Sequence, residues 1–267
     1  MSSRTAHGFK RGEVIRFLRD AVRSSDVLTS GYLVLELAQH SANRVPLLDI
    51  VVGEYVQHRL SSDAPSLSRI VRGLRDFAAS SSSLAIFDAF SCVLSLPCKQ
   101  QAVVLAAARG NGHPFQELFR SVATGDARGA LSQMALLFDH APPAPAPPLL
   151  PDALVDRGVP SDSDYTNAWG KALPPDPVVR ELWHVAFSLA ESRKPEVAQF
   201  VADLYFIFAC VFSKRKGRVA VQPILAYAFA SIVQNRVRRG GGLPPPPAAE
   251  ALAAMLEELG LRDGERV

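Results

Sequence analysis

Apolar positions recur at three- and four-residue spacing through most of the chain. Val14, Phe17, Leu18, Ala21 and Val22 form one stripe, and Leu67, Ile70, Val71, Leu74 and Phe77 form another. That spacing puts the apolar side chains on one face of an α-helix. Residues 32–39, 46–60, 84–96 and 99–109 read as further helices. The breaks between them carry helix-ending and helix-capping residues: Ser61-Ser62-Asp63-Ala64-Pro65 at one, Ser80 to Ser83 at the next. Farther along, Val179, Leu182, Trp183, Ala186 and Leu189 make a stripe. Val197, Phe200, Val201, Leu204, Phe208 and Val211 make a broader, aromatic one, which predicts the central helix of its bundle. Strand-type alternation with paired turn residues is not found, so the predicted fold class is all-α.

The pattern also predicts the domain plan: two helical bundles joined by a proline-rich linker. Residues 1–140 make the first bundle. Residues 141–177 are the linker or exposed loop, since proline removes backbone donors and favours extended chain. Residues 178–239, with 115–140, make the second. Gly240-Gly241-Gly242-Leu243 and the prolines 244–247 form a further break. Residues 248–267 hold a short amphipathic helix with Leu252, Met255, Leu256 and Leu259. That helix either docks on its own chain or lies in the groove of a protein partner. Tyr165 and Trp169 in the linker have the same two readings, an internal pin or a partner anchor.

A shift of 100 positions brings Leu18, Val22, Asp26, Leu37 and His40 onto Leu118, Val122, Asp126, Leu137 and His140. Ser24-Ser25-Asp26 then meets Thr124-Gly125-Asp126, each placed to cap a following helix. The ends of two apolar helices, Leu96-Pro97-Cys98-Lys99 and Phe212-Ser213-Lys214, also correspond in kind. This is the pattern of an internal duplication.

Composition narrows the setting. Hydrophobic residues are 48% of 267, enough for a real core, and 29 Lys and Arg against 26 Asp and Glu give a net charge of only +3. Nucleic-acid contact therefore needs a local patch. Three cysteines (Cys92, Cys98, Cys210) in apolar stretches, without a CxxC pair, point to a reducing compartment, cytoplasmic or nuclear, and to thiols acting as small hydrophobes. The polar, basic first eleven residues lack the apolar core of a secretory signal, while their arginines leave organellar import open. The longest apolar run, 197–212, is broken by Gln199 and Asp203 and is too short for a bilayer, so no membrane partner is expected.

Arg23-Ser24-Ser25-Asp26, with Tyr32 following, resembles the opening of the helical C-terminal domain in clamp-loader-like AAA+ ATPases of the replication-restart type. Gly125-Asp126-Ala127-Arg128-Gly129-Ala130-Leu131 resembles the Gly-Asp-x-Arg-x-Ala-Leu run in the lid of clamp loaders, where the arginine matching Arg128 senses nucleotide. The ATPase core is missing: the chain has no GxxxxGK[ST] loop to cradle phosphates. What the resemblance implies is the family's helical collar, an assembly surface associated with DNA replication or repair.

Catalytic chemistry finds little support. Glu54 and His58 stand four apart on one helix, a spacing that reads as a solvated ion pair, and no HExxH or zinc-ligand set accompanies them. Gly110-Asn111-Gly112-His113-Pro114 follows a helix, whereas a dinucleotide fingerprint follows a strand. No serine lies in GxSxG, and Cys98 beside Lys99 is the one candidate for an activated thiol. Asp203 either faces solvent or pairs with an arginine across the bundle. No catalytic residue, metal ligand, cofactor or small-molecule substrate is assigned. One feature points outward: the apolar segment 219–239 has Lys214, Arg215, Lys216 and Arg218 before it and Arg236, Arg238 and Arg239 at its end. These residues either meet phosphates or solubilise the ends of an apolar helix. The sequence reads as a non-catalytic scaffold or adaptor that binds a protein partner or itself; the alternative is direct nucleic-acid binding through this basic turn and helix end.

Overall fold

The computed structural model describes residues 4–5, 7–98, 114–139, 177–212 and 222–238. Among them are ten α-helices and no strand, so the protein is all-α as its periodicity predicts. The expected helix over 99–109, the loop 110–113 and the sequence motifs in 140–176, 213–221 and 239–267 lie outside the described residues. The chain divides into two compact units. The first holds residues up to Arg59 and Ser68–Cys98; the second holds Leu60–Leu67 and the described residues from 114 to 238.

In the first unit, α1 (Arg11–Arg23) and α2 (Val27–Ala38) form a hairpin. Val14, Leu18, Ala21 and Val22 are buried, but Phe17 is 53% exposed with the Arg16 guanidinium 5.3 Å from its ring centre. At 3.6 residues per turn Phe17 points about 90° away from the middle of the buried arc, so the expected stripe is narrower than its apolar membership. The hairpin turn is built by backbone. Ser25 adopts φ 57°, the Asp26 N–H donates to Ala21 O (2.9 Å) and the Ser25 N–H to Val22 O (3.0 Å). This pair of bonds satisfies the end of α1. Asp26 then accepts from the Thr29 N–H at 3.0 Å and caps α2, which thus begins five residues before the predicted start at 32.

The first unit continues with α3 (Arg44–Glu54), a π-helical turn (Tyr55–Arg59), α4 (Ala64–Ser80, counted from Ser68 onward in this unit) and α5 (Ser83–Ser95). The Ser82 hydroxyl caps α5 by accepting from the Ala85 N–H, the role the serine run predicts. α2 packs on α1, α3 and α5, and Gly31 lets the Phe87 ring approach its backbone.

The second unit contains α6 (Pro114–Thr124), α7 (Ala127–Asp139), α8 (Pro177–Glu191), α9 (Pro195–Phe212) and α10 (Gln222–Gln234). Trp183 is fully buried among Phe187, Tyr205 and Phe208, with ring centres 5.2–6.0 Å from its own. α9 is less central than its aromatic face predicts. It packs chiefly on α8 and α10, whereas α10 touches α6, α7, α8 and α9. Small residues explain this: Ala226, Ala228 and Ser231 are buried on α10 and let neighbours approach closely.

The α6–α7 turn repeats the α1–α2 turn one hundred positions on. Gly125 has φ 75°, the Asp126 N–H donates to Ser121 O (2.8 Å), the Gly125 N–H to Val122 O (3.3 Å), and Asp126 accepts from the Gly129 N–H (2.9 Å). Leu118, Val122 and Leu137 are buried like Leu18, Val22 and Leu37. The later packing follows too: α2 lies on α5 and α7 lies on α10, each the third described helix after its hairpin. In that register α5 answers α10, not the α9 end with which the sequence comparison pairs it.

Candidate functional site

Of the residues singled out for nucleic-acid contact, Arg236 and Arg238 are described, and both line a cleft of about 500 Å³ in the second unit. Lys214, Arg215, Lys216, Arg218 and Arg239 lie outside the described residues, as do Tyr165, Trp169, Leu252, Met255, Leu256 and Leu259.

The cleft is assembled from the end of α10. Ala230, Ser231 and Gln234 lie three, four and seven residues after Tyr227, which places them along one helix face. Asn235 ends the helix in the left-handed region (φ 46°), a conformation asparagine tolerates better than most residues. The Asn235 N–H donates to Ile232 O (3.2 Å) and the Arg236 N–H to Ser231 O (3.3 Å), closing the last turn. Asn235 Oδ1 accepts from the Lys194 N–H at 3.1 Å, tying this corner to the start of α9. Two backbone bonds then fasten the outgoing strand-like segment: Arg238 N–H to Ser62 O (3.0 Å) and Ala64 N–H to Arg238 O (3.2 Å). Arg236, Val237 and Arg238 therefore form a held wall of the cleft that Tyr227 and Gln234 also line, instead of a frayed helix end.

Charge in the cleft is positive. Both arginines are exposed, and neither is in an ion pair among the described residues. The Arg236 Nε–H donates to Gln234 Oε1 at 3.3 Å, a bond that steadies the guanidinium without neutralising it. The nearby Asp63 carboxylate accepts from the Ser66 hydroxyl. Ser62, Tyr227 and Gln234 add polar residues to the lining. Sequence reasoning missed Tyr227, Gln234 and Ser62. The first two, with Ser231, are the polar stripe of an otherwise apolar helix, and their spacing was the available signal. Ser62 enters through folding alone.

The other polar clusters hold the fold together. Glu54 pairs with Arg59 (2.9 Å), not with His58, which is exposed. The π-turn causes this correction: its wider winding aligns a residue with the fifth one on, not the fourth. Arg59, only 3% exposed, also donates to Leu94 O (2.8 Å), Leu96 O (2.6 Å) and Ser25 Oγ (2.9 Å), joining the end of α5 to the first hairpin turn. Asp203 does not face solvent; it is 2% exposed and accepts from Gln199 Nε2 one turn earlier at 2.9 Å. Glu36 is fully buried, with the His7 ring Nδ1 at 2.6 Å and the His7 N–H at 3.1 Å from its oxygens. Burial pushes its carboxyl up, but the neighbouring Thr5 hydroxyl and the hydrogen bonds from His7 more than offset this and hold it below its ordinary value. Arg69 and Asp88 form a forked ion pair that raises the Arg69 pKa, against a smaller opposing effect of burial. Cys92 and Cys210 are buried as expected, whereas Cys98 is exposed. Among the described residues no group of three or more His, Cys, Asp or Glu could hold a metal ion, and no helix is long and apolar enough to cross a membrane.

No family model matches the chain, and no curated protein or solved structure matches it.

Proposed function

We propose that the protein is a non-catalytic helical scaffold or adaptor within a larger assembly. One observation carries this reading. The five large apolar side chains left exposed among the described residues, Phe9, Phe17, Val27, Leu28 and Val45, all fall within the first 45 residues. Phe17 and Leu28 are 53% and 62% exposed, and burying such side chains against a partner is a standard source of association energy. The resemblance of the two capped turns to clamp-loader collar and lid segments supplies the setting, an assembly acting in DNA replication or repair. The matching hairpins fit an origin by duplication of one helical unit. The test is parallel purification from the native source of wild type and a Phe17→Ser, Leu28→Ser double variant, with sedimentation to read self-association. Loss of a partner or of self-association in the variant, at unchanged melting temperature, supports the reading. A wild-type chain that is monomeric and brings down no partner overturns it.

A second reading has its own support: direct contact with nucleic acid through the end of α10. Arg236 and Arg238 stand exposed, with no carboxylate partner among the described residues, on a backbone wall fixed by hydrogen bonds. Such groups meet phosphates at little cost in desolvation, and the resulting affinity falls as salt rises.

A further inference from the structure

We propose that the cleft at the end of α10 takes one nucleotide unit of a single strand, with the Tyr227 ring against the base and Arg236 and Arg238 on the phosphates. This rests on the nucleic-acid reading and goes further by naming the form of the ligand and a residue that the charge pattern alone does not reveal. In sequence the basic residues have no aromatic neighbour: Tyr227 is nine positions before Arg236. Folding removes that separation. Tyr227, Ser231 and Gln234 line the same cleft as Arg236, Val237, Arg238 and Ser62.

The cleft suits a single strand in size, in chemistry and in access to the base. A cleft of about 500 Å³ is of the size that receives a small organic ligand, and an unstacked base with its sugar is one. An aromatic ring beside guanidinium groups is the combination that binds single strands with little regard to sequence, the ring stacking on the base and the cations tracking the backbone. A duplex keeps its bases stacked inside, so its phosphates could reach Arg236 and Arg238 but no base could reach Tyr227 without being flipped out. The site is also held in shape before binding. The bonds from Arg238 to Ser62, from Ala64 to Arg238 and from Lys194 to Asn235 fix the wall, which lowers the entropy cost of ordering it. The Gln234 amide and Ser62 hydroxyl offer donors and acceptors to whichever base edge enters, in keeping with weak base preference.

The experiment uses the full chain and fluorescence anisotropy with a labelled oligothymidylate single strand and a mixed-sequence duplex of equal length, each at two salt concentrations. Wild type is expected to bind the single strand more tightly. Tyr227→Leu weakens single-strand binding about 5- to 100-fold while leaving duplex binding within about twofold. Tyr227→Trp retains the single-strand affinity, and an Arg236→Gln, Arg238→Gln variant weakens both ligands and flattens the salt dependence. Ultraviolet crosslinking of wild type to a single strand carrying 5-iodouracil needs no substitution, and the adduct maps to Tyr227. Equal affinity for duplex and single strand, lost only with the arginines and with no adduct at Tyr227, overturns the stacking proposal and keeps the nucleic-acid reading. Binding that neither the Tyr227 nor the arginine variants change, with the adduct elsewhere, removes the cleft as the site. Absence of binding to either ligand at low salt removes both readings.

Discussion

Glu36 has no exposed surface, yet its carboxyl sits below its ordinary value of 4.5. An acid that loses its proton more readily in the folded chain than in the unfolded one adds stability while ionised. That contribution is complete above the unfolded value and disappears as pH falls through the folded one. Glu36→Gln keeps the shape and removes the charge, so the comparison isolates the ionised form. At neutral pH the variant is expected to be less stable by about 1.5–3 kcal/mol, the range for hydrogen bonds to a charged group. The difference narrows as pH falls below the ordinary value and closes once pH has passed the folded one, because wild type then carries a neutral carboxylic acid in the same place. Urea melts of both proteins across the acid range read this directly. A gap that stays constant with pH would show that the His7 contact acts through packing and not through charge. The N-terminal segment is what the interaction holds, since His7 approaches α2 from outside any helix of the first unit.

Glycines test how closely the helices of the first unit meet. A Cβ on Gly73 of α4 would come within 2.6 Å of Ala85 O and 2.9 Å of Ala89 Cβ on α5, atoms that cannot turn aside. On Gly31 it would meet the Phe87 ring edge at 2.6 Å, a side chain with some freedom; on Gly53 it would meet nothing within 4 Å. Alanine raises helix propensity by about 1 kcal/mol, and forced overpacking costs about 1–3 kcal/mol. Gly53→Ala should therefore stabilise, Gly31→Ala should change little or mildly destabilise, and Gly73→Ala should destabilise most. Thermal melts that rank them otherwise would contradict the packing of α4 on α5. The same elements show what sequence could and could not carry. Apolar spacing at 67–77 and the serine caps located α4 and α5, because periodicity and capping are local properties. The π-turn at Tyr55–Arg59 was invisible to a 3.6-residue template, so Glu54 was matched with His58 when its partner is Arg59. The cleft was half legible for a similar reason. Arg236 and Arg238 stand out as charge, but Tyr227 and Ser62 join them only through the Asn235 turn and two backbone bonds across a long stretch of chain.

Chain order and spatial order part company in the second unit. α6 and α7 precede the proline-rich segment and α8, α9 and α10 follow it, yet α10 packs against both α6 and α7. Leu118, Val122, Ala130, Met134 and Leu137 are buried on the first pair, and Ile224, Leu225, Phe229 and Ile232 are buried on α10. Those residues belong to one core whose halves are covalently joined through residues 140–176, but whose cohesion comes from burial of apolar surface. Cutting the connection should therefore leave the core intact. A protease site introduced near residue 160 would split the chain into two pieces of unequal size after digestion. The pieces are expected to elute together from a sizing column in native buffer, with the helical circular dichroism of the uncut protein, and to separate in denaturant. The cut raises the entropy gained on unfolding, so the nicked protein should also melt at lower temperature, and increasingly so on dilution, as two chains must then find each other. Pieces that part in native buffer would mean that α6 and α7 do not share a core with α10. The pairing of α7 with α10, and with it the likeness to α2 on α5, would then fall.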